Sequence, residues 1–352
     1  MATTAEGVRH AINGQMTEGN HQIPGPASDG SEEFAARQQP PASSGGQGRV
    51  EMPSPKTDVP DWYNPPTLAD EEDDEVAIAA PQAPSLPRHR EGPGRVVAVL
   101  SGKPGTGKST IAANLAAAVA RDHHLTTAIV DLSLQFGDQA LMFDCASSPS
   151  LVDVLANIDA LTEDFLLDCM HRGPDLRILS APPSPELADL VDASHLQVIL
   201  SLLRSLFDVI VLDTSSHLSD ITLEAMDSSD NLLVVTTPYL PAVKDTKLLL
   251  KTLSDLGVPA RKLTAVLNRL EPGIKMGLDV LEANLKFPIT VELPHVPVAL
   301  IESVTDGIPL VLQKSGSEWG QKIAALADIA VAPAGATEGK RQKRGFLGLT
   351  RG

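Results

Sequence analysis

Sulfur and aromatic residues are scarce in this chain. Of 352 residues only two are cysteines, Cys145 and Cys169, and Phe, Trp and Tyr together make up 3%. Two thiols without metal-type spacing argue against a disulfide framework or a cysteine-held metal, and they suit a reducing compartment. No apolar run is long enough to cross a bilayer, and the first residues lack the basic-then-apolar order of a secretion signal. A cytoplasmic location is the expectation. Positive charge is short as well: 28 Lys+Arg against 45 Asp+Glu leave a net charge of −17. Non-specific DNA affinity comes from phosphate neutralisation, so DNA binding is not expected of such a surface.

What is present divides the chain in three. Residues 1–94 are rich in Pro, Gly, Ser, Gln and Glu and carry no sustained periodicity. Such a segment buries too little apolar area to offset its ordering entropy, and it is expected to be a disordered acidic arm. Inside it, Asp61-Trp62-Tyr63-Asn64-Pro65-Pro66 precedes the acid run 70–75. That patch reads either as a solvated linker or as a short docking motif with an aromatic anchor. From 95 to 332, apolar strands alternate with helical patterns, the signature of a doubly wound, mostly parallel α/β sheet with helices on both faces. Strands are expected at 95–101, 126–131, 176–180, 208–213, 231–237, 261–268 and 288–292. Residues 333–352 read as a linker followed by a tail, 340–352, with five Lys/Arg and no acid.

The centre of the pattern is a β-branched run, Arg95 to Leu100, that meets Gly102-Lys103-Pro104-Gly105-Thr106-Gly107-Lys108-Ser109-Thr110 and then an alanine-rich helix. Gly-x4-Gly-Lys-Ser between a strand and a helix is the phosphate-loop pattern. Its glycines let successive N–H groups converge on phosphate oxygens, and the helix N-terminus adds partial positive charge. Lys108 supplies the formal charge, and Ser109 is placed to ligate Mg2+. A nucleotide with Mg2+ is therefore the expected occupant.

Lys103, second in the loop, either faces solvent or answers a phosphate. Here the residues begin to resemble the MinD/ParA family of P-loop ATPases, whose deviant Walker A loop carries this extra lysine. The resemblance covers about 95–330. It implies that Lys103 reaches the partner's phosphates in an ATP-dependent homodimer. Asp131 to Asp138, reading Asp-Leu-Ser-Leu-Gln-Phe-Gly-Asp, resembles the switch I segment, most closely that of the CpaE/TadZ pilus-assembly branch. Phe207 to Asp213 is similar to the Walker B strand, with Asp213 holding Mg2+ through water; strand-end aspartates such as Asp131 and Asp213 also serve as caps or turn formers. An AAA+ domain would need an acidic pair there, but Thr214 follows Asp213. A bacterial tyrosine kinase would need a C-terminal tyrosine cluster, and the chain has only Tyr63 and Tyr239.

The resemblance further implies that Asn268, followed by Arg269, reads the adenine edge, and that the backbone of Pro294-His295-Val296 closes over the base. Catalysis would fall to Lys103, Lys108, Asp131, Asp138 and Asp213. Three departures stand out: Pro104 where glycine is usual, Ser133 where the second switch I aspartate is usual, and Thr214-Ser215-Ser216-His217 without the usual proline or glycine. With Ser133 neutral, slow hydrolysis is the expectation. The implied role is a spatial organiser for a Flp/Tad-type pilus or secretion machine. Division-site or partition ATPases, and a non-hydrolysing nucleotide-gated scaffold, are the alternatives. The tail resembles the membrane-targeting tail of MinD, with Phe346, Leu347 and Leu349 beside Lys340, Arg341, Lys343 and Arg344. It reads either as a plain solvated tail or as a peripheral contact with anionic lipid at the inner face of the cell membrane.

Overall fold

The computed structural model describes residues 92–270 and 277–332. The arm (1–91), with its Trp62–Tyr63 patch, and the tail (340–352) lie outside the described residues. In chain order the main elements are β1 (Arg95–Leu100), α1 (Lys108–His123), β2 (Thr127–Leu132), α2 (Gln139–Met142), α3 (Leu151–Leu155), α4 (Glu163–Asp168), β3 (His171–Gly173), β4 (Leu176–Leu179), α5 (Ala193–Leu206) and β5 (Val209–Thr214). They continue with α6 (Asp220–Asp227), β6 (Asn231–Thr236), α7 (Leu240–Asp255), β7 (Leu263–Leu270), α8 (Leu278–Leu285), β8 (Ile289–Pro294), α9 (Pro297–Thr305), α10 (Leu310–Gln313) and α11 (Glu318–Val331).

The eight described strands form one sheet in the order β3-β4-β2-β5-β1-β6-β7-β8. Every pairing is parallel except β3 with β4 at the edge. The period of two explains both layers of the core. Val96, Ala98 and Leu100 join the cluster under α5, α6 and α7, whereas Val97 and Val99 join the cluster under α1 and α11. A sheet covered on both faces wants continuous apolar strands, and β2 and β5 are buried at all six positions. Helix α1 lies deep in its layer, with every residue from Ile111 to Ala120 buried. Alanine at six of those positions removes the bulk that would hold the helix away from the sheet.

Two features differ from the sequence pattern. The edge strand β3 was not expected, because three residues, His-Arg-Gly, carry no readable period. The expected strand at 261 begins instead at Leu263, since Ala260–Lys262 form a short 3-10 turn.

Candidate functional site

Parallel pairing brings the C-terminal ends of β1, β2, β5 and β7 to one edge of the sheet, where open α/β sheets bind ligands. The loop after β1 ends at Gly107, whose φ is 92° and whose side a Cβ would drive into the Asn268 amide. Side-chain oxygens cap α5 (Asp192), α6 (Ser219) and α11 (Ser317). Helix α1 starts on this glycine with no side-chain cap, so its first N–H groups have no cap oxygen to answer them, which suits an anion. Pro104 and Gly105 are exposed at the loop tip, while Thr106 and Lys108 are buried.

Lys108 is 9% exposed, and its Nζ donates to Ser216 Oγ at 2.8 Å. Burial pushes its pKa down, and the nearby Asp213 carboxylate pulls it back up. Ser216 also lies 3.4 Å from Ser101 Oγ, which donates to the Lys103 carbonyl at 2.6 Å. Ser216 thus gives the buried ammonium a neutral partner, one that a phosphate oxygen would outbid. The sequence marked 214–217 only as a departure, and the role of its third residue appears only in three dimensions.

Asp131 and Asp213 are register partners on adjacent strands, both fully buried. Desolvation first, and then the Asp213 charge, push Asp131 up to about 8. Asp213 is also raised by burial, against the Gln139 amide, the Ser109 hydroxyl and the Lys108 ammonium. Asp131 faces the switch segment. Its Oδ1 accepts from Ser133 N at 3.0 Å and its Oδ2 from Gln139 N at 3.0 Å. It therefore clamps the loop 132–138 onto the sheet. Gly137 is part of that clamp, because a Cβ there would strike the Asp131 carboxylate and Ala181. Asp138, by contrast, is exposed and precedes α2.

Does this site suit a divalent cation? Asp213 Oδ1 is buried without a hydrogen-bond partner. The Ser109 hydroxyl stands near the same carboxylate, and Lys108 is the compensating cation of Asp213. A hydrated cation ligated by Ser109 would give Asp213 the donors it lacks, so the residues present fit Mg2+.

On the far side of the loop, Asn268 is 4% exposed, and its Nδ2 donates to the Thr106 carbonyl at 2.8 Å. The side chain named for base reading thus braces the phosphate loop in this structure. Arg269 follows in β7, and Pro294, His295 and Val296 lead from β8 into α9. Lys103 is partly exposed, and its Nζ lies 3.3 Å from Asp245 Oδ2 on α7. Gly102 explains why they meet, since a Cβ there would collide with the backbone of Asp245 and Thr246.

Residues 97–309 match the family described as the CobQ/CobB/MinD/ParA nucleotide binding domain. The chain belongs to this MinD/ParA family. Among its relatives, an uncharacterized ATP-binding protein of Methanocaldococcus jannaschii is 26% identical over 71% of this chain and 93% of its own length. The septum site-determining protein MinD of Synechocystis is 30% identical over 64% of this chain and 85% of its own. In solved structures, the ParA family ATPase of Chlorobium tepidum aligns with a TM-score of 0.63 and 26% identity, over 66% of this chain and 98% of that one. The MinD/ParA match ends at residue 309, before α11. Among the described residues no helix is long and apolar enough to cross a membrane.

Proposed function

We propose that this MinD/ParA-family protein is an ATP- and Mg2+-dependent, dimerising, slowly hydrolysing ATPase that positions a Flp/Tad-type pilus or secretion assembly machine. One observation carries the nucleotide reading: the buried Lys108 ammonium and the partnerless Asp213 Oδ1 flank a helix N-terminus that opens on glycine. In this reading the 102–110 loop and Lys108 hold the phosphates, Ser109 and Asp213 hold Mg2+, and Asn268 with 294–296 faces the base. Mg2+ would neutralise charge between the β- and γ-phosphates. Asp131 keeps the switch loop seated, and Lys108 keeps a fixed charge at the phosphate end.

The pilus branch rests on the string Asp131-Leu-Ser-Leu-Gln-Phe-Gly-Asp138. A second reading, septum placement or partition, is favoured by the names of the relatives, MinD in Synechocystis and a ParA family ATPase in Chlorobium. Finding a secretion ATPase and a pilin encoded beside this chain would favour the first, and a division or partition partner the second. The domain division 1–94, 95–332 and 333–352, a cytoplasmic location and a lipid contact through 340–352 belong to the same proposal. Sedimentation with anionic vesicles, with and without 340–352, tests the lipid contact.

Two experiments test the ATPase itself. Attack of water on the γ-phosphate depends on positioning and charge neutralisation, and Ser133 offers a hydroxyl where a carboxylate would grip the water. Phosphate release at saturating ATP should run far below the ~1–10^3 s^-1 common among enzymes. Ser133→Asp should raise it ~10-fold, equivalent to ~1.4 kcal/mol off the barrier. Brisk native turnover that the aspartate slows would overturn this account. In the second experiment, Lys103 leaves Asp245 for the partner's phosphates only when nucleotide fills both subunits. Light scattering should find monomer without ATP and dimer with ATP-Mg2+, while Lys103→Ala binds ATP yet stays monomeric. A constitutive dimer insensitive to both changes would leave Lys103 a surface partner of Asp245.

A further inference from the structure

Gln139 belongs to no motif, yet it touches three of the four strand ends that make the site. It is the first residue of α2 and fully buried. Its Nε2 donates to Asp213 Oδ2 at 2.9 Å and to the Ser109 carbonyl at 3.0 Å, while its backbone N–H reaches Asp131 Oδ2. One residue therefore ties the phosphate loop after β1 to the carboxylates that end β2 and β5.

The orientation of its amide is fixed by chemistry. Both partners of Nε2 are acceptors, and a flipped amide would set Oε1 against a carboxylate and a carbonyl oxygen. Oε1 must then face elsewhere, and there it is buried with no partner. Asp213 Oδ1 is in the same condition. Oε1 has no donor, and the Ser109 hydroxyl near the Asp213 carboxylate makes no hydrogen bond to Oδ1. Two such acceptors, on side chains that are hydrogen-bonded to each other, ask for a ligand that donates. Buried acceptors are nearly always answered in folded proteins. A bare anion would repel both, whereas water held on a cation presents O–H groups to each of them.

We propose that Gln139 is a positioning residue for the metal of the nucleotide site: Nε2 aligns the Asp213 carboxylate, and Oε1 accepts from a water of the cation's shell. This inference rests on the Mg2+-nucleotide reading given above. It also gives the switch segment a polar group at the metal where Ser133 provides no carboxylate. A glutamine can do both tasks because it donates and accepts at once; a carboxylate in its place could only accept.

The test is isothermal titration of ATP into the full chain, with Mg2+ and with EDTA, for the native protein, Gln139→Met and Gln139→Glu. Methionine keeps the buried volume and removes both polar atoms. Outer-shell partners of metals commonly contribute ~10–100-fold to metal affinity. Gln139→Met should therefore lose ~10-fold or more of the gain in ATP affinity that Mg2+ brings, over and above any loss seen in EDTA. Should methionine fail to fold, glutamate is the second variant. It adds a third acid beside Asp131 and Asp213, so its metal-free melting temperature should fall and Mg2+ should raise it more than in the native protein. Native Mg2+ gain in Gln139→Met, or an equal loss with and without Mg2+, would make Gln139 a strut of the loop and overturn the inference. A native protein that binds no ATP in either buffer would instead remove the nucleotide reading on which the inference rests.

Discussion

Lys108→Ala is expected to weaken ATP binding by ~2–4 kcal/mol, or ~30–1000-fold, the scale of losing a buried charge-assisted contact. The ammonium is 9% exposed, and its hydrogen-bond partner is the neutral hydroxyl of Ser216 at 2.8 Å. A hydroxyl compensates a buried cation poorly, and burial accordingly depresses the pKa. A triphosphate replaces that weak partner with formal negative charge, so most of the lysine's interaction is realised only in the complex. The alanine variant removes this gain and leaves Asp213 with one fewer compensating charge. Isothermal titration in Mg2+ buffer measures it, and unchanged affinity would remove the site assignment altogether. Lys108→Arg is no rescue, because a planar fork does not reproduce the single point contact that the ammonium makes with Ser216.

Where the sequence was legible, the reason is physical. β1, β2, β5 and β6 are covered on both faces, so they appear as mostly apolar runs rich in β-branched residues and leucine, and their ends fall within a residue or two of the observed strands. The phosphate loop was legible because its geometry demands glycine at fixed offsets, and Gly107 takes a φ of 92°. What escaped was short or relational. β3 has three residues, and α2 and α10 have four each, too few for any period to develop. Gln139 and Ser216 escaped because their importance lies in what they touch, Asp213 and Lys108, across 74 and 108 residues of chain. A signal for Gln139 did exist: an amide directly after Gly137-Asp138, which ends the switch string. Asn268 stands in a motif, but its bond to the Thr106 carbonyl gives it a structural task the motif does not declare.

Trp319→Ala should cost about as much as any single change outside the site, and its size follows from two opposed terms. Trp319 is 1% exposed and sits in the first turn of α11, within the same core cluster as Ile111, Leu115 and Val119 of α1. Truncating a buried tryptophan to alanine costs ~3–5 kcal/mol. Its Nε1, however, is buried without a partner, and deleting an unsatisfied donor returns ~1–3 kcal/mol. The net loss is therefore expected near ~2 kcal/mol, within a span of ~0–4, still a sizeable share of the ~5–15 kcal/mol that holds a domain folded. Trp319→Phe separates the two terms: it keeps most of the apolar area and drops the orphan N–H, so it should change stability by less than ~1 kcal/mol. Urea titration checks both, with the midpoint moving and the slope preserved. Because α11 packs against α1, whose N-terminus is the phosphate loop, ligand binding and this packing stabilise one unit. ATP-Mg2+ at 100 times the native Kd should restore ~2.7 kcal/mol to Trp319→Ala and only ~0.1–0.9 kcal/mol to Lys108→Ala. A Trp319→Ala protein that melts at the native urea midpoint would mean that α11 contributes nothing to holding the phosphate-loop helix in place.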